Sequence, residues 1–118
     1  MTLSVASTRE LLALAFAAGA THFALHSATP ATTGNQLGSR VAITWDSTTT
    51  VTVLPSTSTP ANRLDANNVT IALAATTAAP YGAYWSASTG GTMRETVLLS
   101  IPSGAARNVD VDPSYYQA

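Results

Sequence analysis

An antiparallel β-sandwich or jelly-roll-like barrel of six to seven strands, mainly β and preceded by one N-terminal α-helix, is the fold class that this 118-residue sequence predicts. Three observations predict it. From residue 21 onward apolar side chains recur at every second position in short runs, the period of a half-buried strand. Segments rich in Gly, Pro, Asn and Ser separate those runs and supply turn chemistry. The first twenty residues are instead dense in Ala and Leu, which favour a helix. The length suits one domain with one core and is short for two. The expected division is therefore a helix over 7–18, a sandwich over 20–112 and a tail over 113–118.

The helix is expected to open on a capping box. Ser7 with Glu10 three residues later would let the serine oxygen accept an early backbone N–H while the glutamate reaches back. Leu11, Leu12, Leu14 and Phe16 follow, and Gly19 supplies a stop. These apolar residues do not keep to one stripe, so the helix is expected to be buried on most sides, against the sheet and against a neighbouring subunit. The run LLALAFAAGA at 11–20 also resembles a secretory signal core, and a secreted bacterial β-domain with its first twenty residues removed is the matching alternative. Glu10 directly before the run, and Arg9 as the one basic residue there, favour the helix.

Strands follow in order. THFALHS places Thr21, Phe23 and Leu25 on one face and His22, Ala24 and His26 on the other. RVAITW aligns Val41, Ile43 and Trp45, TVTVL aligns Val51 and Val53, and VTIALA aligns Val69, Ile71 and Leu73. YGAYW aligns Tyr81, Ala83 and Trp85, after which SASTGG forms a turn with two glycines and the chain returns from Thr92. Trp85 is expected in the core beside Trp45 or Phe23, with surface recognition through Tyr81, Tyr84 and Trp85 as the alternative use of these rings. RETVLLSI contains an apolar VLL expected at a central strand, and RNVDVD sets Val109 and Val111 against Asp110 and Asp112. The long connections at 27–39 and 55–68 read as crossovers between sheets or as binding surface.

Charge is the compositional anomaly. Only 9% of residues are charged, against roughly 25% in an ordinary soluble domain. A surface of hydroxyls and methyls is cheaper to desolvate than one of ions, which suits lasting contact with other subunits. The chain has no lysine and five scattered arginines, which excludes the clustered positive charge of a nucleic-acid binder. Zero cysteines exclude disulfides and thiol chemistry.

No catalytic, cofactor-binding or metal-binding residue is expected. His22 and His26 share a face, but on a strand they stand about 13 Å apart, too far for one ion. Asp110 and Asp112 lack the further ligands of a calcium loop, and no nucleophile elbow or phosphate loop is present. The NVT at Asn68 matches a glycosylation sequon, a three-letter pattern of little weight. The terminal Tyr115 and Tyr116, with Leu11, Leu14 and Phe16 of the helix, are the candidate interface residues.

The words FALHSATPATTGN, RVAITW and PYGAYWSASTGGTM, in that order, resemble a family of short virion proteins of tailed bacteriophages, tail-fibre-like or minor structural proteins. Ala31 stands where that family has glycine, and Tyr84 where it has an aliphatic residue. The resemblance implies a non-enzymatic structural role in the virion, as a capsid-decoration or minor capsid protein on the particle surface. Its partners would be major capsid or tail proteins and further copies of itself in a homo-oligomer, with no nucleic acid and no membrane. A minor tail or tail-fibre protein that binds a host-surface glycan is the alternative. The absence of a heptad stalk or fibrous repeat favours the shell.

Overall fold

In the computed structural model, which describes residues 5–30, 35–46, 52–54 and 61–117, two antiparallel β-layers face each other and one helix closes the side between them. The first layer is a four-stranded sheet in the order β2-β1-β6-β7, from β1 (His22–His26), β2 (Gln36–Ala42), β6 (Ala79–Trp85) and β7 (Met93–Ile101). The second is a long ribbon in which residues 61–73 run antiparallel to 107–117. Its outer half pairs β5 (Val69–Leu73) with β8 (Arg107–Val111), and its inner half pairs β4 (Ala61–Asp65) with β9 (Ser114–Gln117). Between the halves the ladder slips, and Ala66 N–H donates to the Pro113 carbonyl at 2.8 Å. β3 (Thr52–Leu54) adds to β4 as a third strand. The chain crosses between layers just after β2, where Trp45 bridges to Ala66. The result is a sandwich, not a closed barrel.

Alternation explains the core. Phe23, Leu25 and Tyr84 face Val69, Ile71 and Leu73 across the layers, with Val41, Ile43, Trp45, Val97, Leu99, Val109 and Val111 around them. Polar tips among these rings are satisfied, as buried groups must be. Tyr84 Oη donates to the Ser114 carbonyl at 2.8 Å and Trp45 Nε1 to the Ala20 carbonyl at 2.9 Å. Gly82 sits under the Phe23 ring, where any Cβ would collide with it.

Helix α1 (Ala6–Gly19) packs on β4 and β9 through Arg9, Ala13 and Ala17, one residue per turn along a single stripe. The two alanines let the backbone come close. Phe16, at the edge of the stripe, stacks on Tyr115 at 3.8 Å between ring centroids and meets Tyr84 edge-on at 5.4 Å. Arg9 Nε donates to Asn62 Oδ1 at 2.7 Å, and Asn62 Nδ2 donates to the Ala6 carbonyl at 3.2 Å. No helix among the described residues is long and apolar enough to cross a membrane.

Several expectations are corrected. The capping box is not formed: Val5 is the N-cap, no side chain caps the helix, and Ser7 lies inside the first turn. Gly19 ends the helix without a left-handed cap, and its carbonyl instead accepts from Arg94 Nε of β7 at 3.3 Å, a cation at the negative end of the dipole. Burial on most sides is not reached within the chain, since Leu11 is 68% and Leu12 42% exposed. The strands number nine among the described residues, because β4 lies inside the expected 55–68 connection and β9 inside the expected 113–118 tail. The VLL segment lies on β7 at the sheet edge, and Leu98 is 75% exposed. Val51, expected to share a face with Val53, lies outside the described residues.

Candidate functional site

Among the described residues, the histidines and carboxylates are dispersed. No three His, Asp or Glu side chains gather in a metal-binding cluster among the described residues. His22 Nδ1 lies 2.9 Å from Thr21 Oγ1, while His26 is wholly buried. Asp110 accepts from Thr70 Oγ1 at 2.7 Å and Asp112 from Asn68 Nδ2 at 2.9 Å, so both carboxylates are bonded across the β5–β8 end of the ribbon.

The far face of the four-stranded sheet carries a polar strap. Trp85 is 1% exposed, packed on Ala24, Ala83 and Met93, away from Trp45 and Phe23. The Arg40 guanidinium lies 3.7 Å above the Trp85 ring and donates to the carbonyls of Ala87 at 2.9 Å and Gly90 at 2.7 Å. Gln36 Oε1 accepts from Arg40 Nε at 2.9 Å and fixes its orientation. Partial burial lowers the Arg40 pKa from its ordinary value. The contact of a cation with an indole face, together with two carbonyls, pins the 86–92 turn over the tryptophan. That turn needs glycine at position 91, where φ is +70° and a Cβ would lie 2.6 Å from Ser86 Oγ. Beneath it, Trp85 Nε1 donates to His26 Nε2 at 3.4 Å. An indole N–H only donates, so Nε2 accepts and the His26 proton sits on Nδ1, 2.8 Å from Asn35 Oδ1.

A cleft of about 690 Å³ opens where β2 and β5 diverge. Leu37, Leu73 and several alanines line it together with Thr77, Arg107 and Asn108, and Leu73 lies directly opposite Arg107 in the β5–β8 ladder. Arg107 is held from behind: Nη1 donates to the Ala105 carbonyl at 3.0 Å and Nη2 to the Pro102 carbonyl. The neighbouring turn contains Thr76 at φ +57°, uncommon for a β-branched residue, tied by its N–H to the Gly104 carbonyl at 2.7 Å.

The residues singled out by sequence scatter across these features. Tyr84 and Trp85 are buried on opposite faces of the sheet, so neither forms an exposed platform, and Tyr81 is half-buried. Burial pushes the Tyr84 hydroxyl up to about 12, and the Glu95 carboxylate acts in the same direction. Phe16 and Tyr115 pack on each other, and burial raises the Tyr115 pKa as well. Leu14 is half-buried, whereas Leu11 and Tyr116 stand out at 68% and 55% exposure. Sequence reading missed Arg40 and the cleft. The positive φ of Gly38 on β2, one edge of the cleft, was the nearest local signal. Compared with protein families, with curated proteins and with solved structures, the chain finds no match.

Proposed function

We propose that this chain is a non-enzymatic structural component of a tailed-phage virion, a capsid-decoration or minor capsid protein that holds its place through contacts with other subunits. The observation that carries this reading is the outer face of α1. Val5, Leu11 and Leu12 present 54%, 68% and 42% of their surfaces to solvent on a domain with only 9% charged residues. Large aliphatic groups on a surface with so little charge to keep copies apart favour association. Leu98 on β7 and Tyr116 on β9 add further exposed apolar surface. The dispersed polar groups support a structural role over a catalytic one, and the resemblance in the 23–45 and 80–93 segments supplies the viral setting. Host-glycan recognition loses the buried Tyr84 and Trp85, and among the described residues Tyr116 stands exposed without a second exposed ring beside it.

Quantitative mass spectrometry of purified virions tests the proposal. Many copies per particle, retained through a high-salt wash, is the expected result. Absence of the chain from washed particles would overturn it.

A further inference from the structure

The geometry points to the cleft between β2 and β5 as a binding site for an apolar monocarboxylate, its aliphatic or aromatic body on Leu37 and Leu73 and its carboxylate on the Arg107 side. Size is the first argument. A volume of about 690 Å³ lies within the range of roughly 300–1,000 Å³ typical of small-ligand sites. Juxtaposed polarity is the second: Leu73 lies directly opposite Arg107 in the β5–β8 ladder, with Leu37 and Thr77 also lining the cleft, so an apolar surface adjoins a guanidinium. Such a juxtaposition suits a ligand that is apolar at one end and charged at the other.

Charge decides the sign. Arg107 is the one ionisable side chain among the described residues lining the cleft, and its two hydrogen bonds go to neutral carbonyls. Its positive charge is therefore uncompensated there, and two bonds leave further donors of the five on a guanidinium. A carboxylate matches that planar donor set through charge-assisted hydrogen bonds. A single cation against an apolar wall suits one negative charge better than the two of a phosphate.

The site is also held in place before any ligand arrives. Gly104 leaves room for Arg107 Nη1, which would lie 3.2 Å from a Cβ at that position. The 102–106 loop wraps the guanidinium from behind, and the Thr76–Gly104 bond ties that loop to the turn bearing Thr77. Strain at a β-branched residue with positive φ persists only where surrounding structure enforces it, as ligand-binding turns often do. Fixing the arginine beforehand reduces the ordering cost of binding.

The test is an amide NMR titration of the full chain with N-acetyl-leucine and, separately, N-acetyl-leucinamide, which has the same body without the charge. Saturable shifts at Leu37, Leu73, Thr77 and Asn108 are expected, with the carboxylate favoured by about tenfold. Arg107→Gln should erase that preference. Because Arg107 also braces the 102–106 loop, a second variant, Ala106→Trp, fills the cleft while leaving the arginine in place, and it should abolish binding of both probes. A tripeptide ending in leucine separates the sources: tighter binding than N-acetyl-leucine supports a polypeptide C-terminus as the ligand, and weaker binding supports a free acid. Equal affinity for the charged and neutral probes, shifts away from the cleft, unchanged binding in Ala106→Trp, or no saturable shift would each overturn the assignment.

Discussion

The two faces of the four-stranded sheet are buried by different means, and the adjacent pair Tyr84 and Trp85 shows the contrast most sharply. Tyr84 enters the apolar space between the layers, against Phe23, Phe16 and Trp45. Trp85 points the other way, donates to the His26 ring and is covered by a turn that Arg40 holds in place. The first face is sealed by secondary structure, whose apolar alternation is written locally in each strand. The second is sealed by loops and a cation from elsewhere in the chain. The two should therefore fail differently, the inner face through the whole fold and the outer face locally.

Phe23→Ala should give the largest effect, a loss of about 3–5 kcal/mol of global stability, because it empties the space directly over Gly82 and beside Tyr84. Urea denaturation measures it. A loss under about 1 kcal/mol would mean that the inner face is not the core of the fold.

Alkali should probe the same face more gently. Below pH 10 the Tyr84 phenol is neutral in both folded and unfolded chains, so it contributes no pH dependence. From pH 10 to about 12 the unfolded chain loses its proton while the folded chain keeps it, so stability falls as pH rises through that window. The full loss is about 2–3 kcal/mol. Tyr84→Phe should remove most of this slope, as read from denaturation midpoints across the window. An unchanged slope would place the alkaline sensitivity in another group.

Arg40→Ala tests the outer face and should cost only about 1–2 kcal/mol, through lost cation–ring contact and the two turn hydrogen bonds. Its signature is spatial. Hydrogen exchange should speed up in the 86–92 turn and at Trp85 while the β5–β8 ladder keeps its protection. Uniform acceleration across both faces would mean that the two faces do not fail separately.

The same contrast accounts for what was legible in the sequence. Val69, Ile71 and Leu73 read as a strand because each inward position is apolar, and all three are buried. β4 did not, because its inward residues are Asn62 and Leu64, and the asparagine is there to receive Arg9 from the helix. β9 was hidden behind Pro113, which follows the end of β8 and after which the chain resumes pairing at Ser114. Period two placed Tyr81, Ala83 and Trp85 together, but it assigns residues to two faces without saying which face meets the second layer. The cleft draws on residues 37, 73 and 107, so no local pattern could reveal it. The sparse charge was visible at once, and it points toward the exposed face of α1.

That helix face tests the account most directly. Cryo-electron microscopy of virions carrying the chain should show Leu11 and Leu12 packed against a neighbouring subunit, with little of either side chain left in solvent. A particle in which the outer face of α1 stays fully exposed while other surfaces make the contacts would contradict the claim that this apolar surface exists to be covered.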